Sequence, residues 1–135
     1  MKKRFEINST ERKKIIFESP QINDDGWIQQ YRLIFESTRL NANMEIYNQP
    51  YGVLLNEYFS DLADHWDGWE GVKSWESIEG EFTIETSMNS SGHASMKISM
   101  NVYGSPSDWV AIADLDVEAG QLEKIANDAK QFLNQ

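Results

Sequence analysis

The sequence predicts an α+β domain of antiparallel sheet and two amphipathic helices, in the order βββα–βββα. Three observations predict it. Apolar residues alternate with period two through six segments, and they recur at three- and four-residue spacing in two others. Asn, Asp, Gly, Ser and Pro punctuate the joins. Short turns between alternating segments imply antiparallel pairing, and a helix with one apolar stripe must bury it on something, here the sheet.

Residues 14–20 (KIIFESP) read as a short strand stopped by Pro20, and 22–26 (INDDG) carry turn chemistry. Residues 27–37 then alternate, with Trp27, Tyr31, Leu33 and Phe35 on one face, and residues 40–47 follow with Leu40, Ala42, Met44 and Ile46. Pro50 and Gly52 break the pattern before Leu54, Leu55, Tyr58, Phe59, Leu62 and Trp66 recur at helical spacing over about four turns. The second half repeats this order. Residues 81–88 alternate through Phe82, Ile84 and Met88; NSSG at 89–92 is a turn. Residues 93–103 alternate strictly, with Ala94, Met96, Ile98, Met100 and Val102 opposite His93, Ser95, Lys97, Ser99 and Asn101. Ser105-Pro106-Ser107 makes a turn and 109–115 the next strand. Asp116 is the expected N-cap of a final helix whose stripe is Leu122, Ile125, Ala126, Ala129, Phe132 and Leu133, with Glu118 and Glu123 near its positive end. Residues 67–80 lack the length and polarity of a flexible linker, so residues 1–135 form one domain. Residues 1–13 are expected to be a basic arm, flexible or leading into the first strand.

Composition narrows the function classes. The chain has 135 residues, 40% hydrophobic, with five Trp and no Cys. That is a folded chain with a proper core, without disulfides, Cys zinc sites or thiol nucleophiles. It has neither the apolar run of a signal peptide nor about 20 apolar residues in a row, so the expected location is the cytoplasm, with no membrane partner. Net charge is −10; residues 1–14 hold six bases and two acids (+4), which leaves −14 on the other 121. Such a body repels nucleic acid and attracts basic partners.

No catalytic constellation stands out. There is no G-x-S-x-G elbow, P-loop or dinucleotide fingerprint, and the only histidines are His65 and His93. Asp61 and His65 have the i, i+4 spacing of a metal-ligand pair, but no third or fourth ligand accompanies them, so no metal and no cofactor is expected. The unusual stretch is 61–80, DLADHWDGWEGVKSWESIEG, with three Trp, six acids and one base, Lys73. Each indole taken alone has a core role open to it, with Trp66 closing the helix stripe and Trp69 and Trp75 filling the junction between the halves. Gathering the acids costs self-repulsion, which a binding function would use. Indoles dominate interface hot spots and carboxylates recruit Arg and Lys. The candidate partner-binding residues are therefore Asp61, Asp64, Trp66, Asp67, Trp69, Glu70, Trp75, Glu76 and Glu79.

Trp69, the run Trp75-Glu76-Ser77-Ile78-Glu79-Gly80, Ser91-Gly92-His93 opening a strand, and Trp109 ahead of Glu118-Ala119-Gly120-Gln121-Leu122-Glu123 form a set that resembles the WapI-type bacterial immunity proteins and related domains of unknown function. The resemblance covers roughly residues 65–134. It implies an antitoxin that binds the C-terminal toxin domain made by its own cell, often a nuclease. The protein is expected to be a monomer or weak dimer and not an enzyme. Two other readings stay open: a small-molecule-binding or minor metabolic domain with a pocket between sheet and helix lined by Trp and His93, and an oligomerising structural protein.

Overall fold

In the computed structural model, which describes residues 3–50, 52–103 and 108–133, the alternating segments pair as two separate four-stranded antiparallel meanders. The first contains β1 (Arg4–Asn8), β2 (Lys14–Ile22), β3 (Ile28–Glu36) and β4 (Asn41–Tyr47), and is followed by helix α1 (Leu55–Asp64). The second contains β5 (Lys73–Glu76), β6 (Phe82–Met88), β7 (His93–Val102) and β8 (Trp109–Glu118). A 3₁₀ turn, Ala119–Gln121, leads from it into helix α2 (Leu122–Leu133). The class is α+β as expected, but each half has four strands. The two additional ones, β1 and β5, have only five and four residues, too short for alternation to stand out. β1 lies inside the expected basic arm and pairs with β2 along its whole length, burying Phe5 and Ile7.

Three expectations are corrected. Pro20 does not stop β2. Glu18 faces Arg32 and Gln21 faces Gln30, so Ser19 and Pro20 together oppose Tyr31 in a β-bulge, with Ser19 at φ 51°. β1 reaches no further than Glu18, so the missing Pro20 N–H deprives no strand of a ladder bond. Trp27 precedes β3 and is half-buried edge-on to Tyr47; Ile28 is the fully buried residue at that end. Asp116 caps no helix, because β8 continues through it opposite Ser95. The chain instead turns at Glu118, whose N–H donates to Gln121 Oε1 (2.9 Å). The expected turn at 105–107 lies outside the described residues.

The halves share one detail at residue level. Between the second and third strands of each sheet, an Asn carbonyl oxygen accepts from the N–H groups two and four residues ahead. Asn23 Oδ1 accepts from Asp25 and Trp27, and Asn89 Oδ1 from Ser91 and His93. Gly26 and Gly92 follow at φ 83° and 79°, which a side chain would strain. One Asn-x-x-Gly solution therefore closes the equivalent hairpin twice.

One core serves both sheets and both helices. α1 and α2 pack on each other. Phe132 of α2 meets Phe5, Phe17 and Tyr31 edge-on, and Phe59 of α1 is perpendicular to Phe17. Phe17 also meets Phe82 across the sheets, at 6.2 Å between centroids. Tyr58 of α1 accepts from the Thr86 hydroxyl (2.7 Å) and donates to Lys73 O (2.8 Å), fixing α1 to the second sheet.

Burial of these phenols gives stability a pH dependence. The Tyr58 hydroxyl is pushed up to about 12, chiefly by burial; the Thr86 hydrogen bond opposes this, and the charges of Asp61 and Glu85 add to it. Tyr31 is raised further, by burial first and then by Glu81. An unfolded tyrosine ionises near pH 10. From there upward the unfolded chain gives up protons that the folded chain keeps, so this stabilisation is complete below pH 10 and is lost as pH rises towards 12. The urea midpoint is expected to fall from pH 10 upward, and less steeply in Tyr58→Phe. A wild-type midpoint unchanged from pH 9 to 12 would contradict this.

Candidate protein-binding site

α1 begins with Glu57 reaching back to accept from Leu54 N–H (2.8 Å), which satisfies one of the otherwise unpaired first-turn donors. It ends at Asp64, earlier than the apolar spacing predicts. Trp66 therefore falls beyond the helix and does not close its stripe; the side chain is 64% exposed. Gly68 (φ 122°) and Gly71 (φ 77°) then turn the chain towards β5, with Asp67 and Glu70 exposed.

The three indoles divide by environment. Trp75, on the inner face of β5, is 7% exposed, packs edge-on against Phe82 and donates from Nε1 to Val53 O (2.8 Å). It belongs to the core and is removed from the candidate contact set. Trp69 is half-buried against the core and donates from Nε1 to Thr86 O (3.3 Å), with Lys73 Nζ 5.7 Å from its ring centre. Trp66 alone is freely presented. The acids divide likewise. Asp61 is held by Lys73 Nζ (3.0 Å) and His65 Nδ1 (3.3 Å), so its carboxylate is already occupied by an ammonium. Asp64, Asp67, Glu70, Glu76 and Glu79 are exposed. Glu76 lies on the outer face of β5 and Glu79 in the β5–β6 turn, whereas Asp64, Asp67 and Glu70 are grouped around Trp66 in sequence.

Trp66 and Asp64 form one side of a groove of about 420 Å³ between the end of α1 and the start of α2. The opposite side comes from Ala119, Gly120 and Glu123. Those residues were not among the expected contacts, since only α1–α2 packing brings them there; the signal available was Glu123 as an acid in a helix's first turn. The groove thus joins an exposed indole to carboxylates on both sides, with two small residues leaving room between. An aromatic face and carboxylates without an ion-pair partner among the described residues favour a guanidinium or ammonium group.

Helix electrostatics sharpen the point. The C-terminal end of a helix is negative, and an acid there costs about 0.3–1 kcal/mol. α1 has Asp61 and Asp64 in its last turn and no base. Lys73 offsets the first, but among the described residues no cation pairs with Asp64. His93 stands exposed on the outer face of β7, while Trp75 is on the inner face of the same sheet, so these two do not line a common pocket. Among the described residues, no group of three His, Asp or Glu is arranged to hold a metal ion, and no helix is long and apolar enough to cross a membrane.

No curated protein and no solved structure matches the chain. A family model does, over residues 6–135. It spans every strand and helix except the first two residues of β1. The chain belongs to that family, described as a family of unknown function (DUF6228).

Proposed function

We propose that the protein is a binding module for a basic protein partner, and that the partner is a toxin domain, a nuclease among the chemistries that fit, which it neutralises as an immunity protein. The observation that carries the reading is the Trp66 groove, where a large indole stands in solvent beside Asp64 and across from Glu123 on a chain of net charge −10. Leaving an indole that exposed forgoes a large apolar burial, and placing Asp64 at the end of α1 opposes the helix dipole. Both costs are offset when a cationic side chain enters. A toxin that cleaves nucleic acid needs a basic cleft, and an inhibitor presenting carboxylates around an aromatic anchor is steered towards one. The resemblance of Trp69, 75–80, Ser91-Gly92-His93 and 118–123 to WapI-type immunity proteins supports the same class of partner.

The test is growth rescue. The polypeptide encoded next to this protein is induced in a heterologous host with and without it. Rescue is expected, together with a 1:1 complex that survives size-exclusion chromatography. Toxicity unrelieved by co-expression, or a harmless neighbour, would remove the immunity reading.

A further inference from the structure

β8 is the last strand of its sheet, so one of its edges is open. Ala119 N–H donates to Gly92 O in continuation of the β7–β8 ladder. Alternation then turns the odd-numbered backbone groups of β8 towards β7 and the even-numbered ones outward. Three groups of the outward set are engaged. Asp116 O accepts from Thr10 N–H (3.2 Å), Asp114 O from Lys13 Nζ (3.2 Å), and Glu118 N–H donates to Gln121. Val110 and Ile112 are the residues at which neither outward backbone group, N–H or C=O, has a hydrogen-bond partner among the described residues. Their side chains are 58% and 59% exposed on the outer face, beside Asn101 and Ser99 of β7. A groove of about 430 Å³ runs alongside, between the starts of β4 and β8, with Leu40, Ala42, Trp109 and Ala111 in its walls.

An edge with unpaired donors and acceptors and exposed β-branched residues is a template for strand pairing, which folded proteins ordinarily cover or charge. Here the β1–β2 turn covers one end and leaves Val110 and Ile112 uncovered among the described residues. We propose that the 110–112 edge is a strand-addition site for a short extended segment of another polypeptide, apolar at two alternate positions and carrying Lys or Arg beyond them. Main-chain bonds to Val110 and Ile112 would hold the segment, and its apolar side chains would cover theirs.

Charge selects this occupant. On the outer face Lys97 lies between Glu85 and Asp114, and Asp116 faces Ser95; Lys13, which reaches Asp114 O, is paired with Glu11, so acids exceed bases beside the edge. A second copy is disfavoured because each copy carries −10. Two residues of free ladder also fall short of the roughly 1,200–2,000 Å² that stable interfaces bury. Ile112 is roughly 20 Å along β8 from the end that leads to the Trp66 groove, so the edge is a separate surface and does not depend on the immunity reading.

The probe is a capped peptide of alternating Thr and Val with a Lys pair at each end, added to the whole protein while backbone amide exchange is followed by NMR. Exchange at Val110 and Ile112 is expected to slow about tenfold or more at saturation, and not to slow with a peptide whose alternate amides are N-methylated. Ile112→Pro removes one outward donor without touching the bonds to β7, and should lose the peptide while keeping the fold. Should that variant fail to fold, the double variant Val110→Lys, Ile112→Lys keeps the backbone donors and should bind the basic peptide more weakly at low salt. Unchanged exchange at both amides, equal protection by the N-methylated peptide, or undiminished binding by the folded variants would overturn the proposal. So would protection of the same amides, without peptide, as the mass doubles with concentration.

Discussion

Phe17→Ala is expected to lower the free energy of unfolding by about 3–5 kcal/mol, at the top of the range for a buried aromatic truncation. The ring is fully buried and lies at the junction of every layer. Phe5 of β1 stacks on it at 4.3 Å, and Tyr31 of β3, Phe59 of α1, Phe82 of β6 and Phe132 of α2 surround it at 5.8–6.4 Å. These neighbours belong to both sheets and both helices, so none can move into the space without leaving its own element. The cavity therefore stays open, and the cost includes lost dispersion as well as lost transfer energy. Domains of this kind are stable by only about 5–15 kcal/mol, so the variant should approach the limit of folding at 37 °C. Urea unfolding followed by Trp fluorescence measures the loss. A change below about 1 kcal/mol would mean that the sheets do not share a core at Phe17.

That junction was not legible in the sequence, although the strand containing it was. Alternation assigns Phe17 to an apolar face, as it does Leu33 or Ile98, but which apolar residue touches both sheets depends on how the meanders meet. The same limit explains the other differences. β1 and β5 are too short to show a period, and the bulge at Ser19–Pro20 is visible only as a register shift against β3. The β7 pattern is legible because ten residues alternate without interruption. The two Asn-x-x-Gly hairpins were also legible, since their turn chemistry is local.

The candidate site divides in the same way. Its acids are identifiable because most carboxylates stay at the surface, and Asp64, Asp67, Glu70, Glu76 and Glu79 are exposed, although Glu81 is buried. The tryptophans were not separable, because an indole is equally at home in a core and at an interface. Trp75 and Trp66, nine residues apart, took opposite places once α1 ended at Asp64. The second wall of the groove, from Ala119 to Glu123, is a product of helix packing, and its one local signal is Glu123 as an acid in a helix's first turn.

Reversing Asp64, Asp67 and Glu70 together to Lys should reduce the rate of association with a basic partner by about 10- to 100-fold at low salt. The three changes add six charges and take the chain from −10 to −4. They also place positive charge around Trp66, where the partner's cations must approach. Most of the loss should vanish near 1 M salt, where screening shortens to about 3 Å, while the dissociation rate changes less. Trp66→Ala should do the reverse, leaving the association rate nearly intact and speeding dissociation, because a buried anchor and not a field is removed. Neither variant should lower stability by more than about 0.5 kcal/mol, since these side chains are exposed, and Asp64→Lys should raise it slightly by placing a cation at the negative end of α1. The two kinetic signatures separate steering from anchoring within one surface. A triple variant that associates at the wild-type rate across the salt range would place the partner elsewhere on the molecule. Slow association with unchanged dissociation in Trp66→Ala would leave the acids as the site and the indole as a bystander.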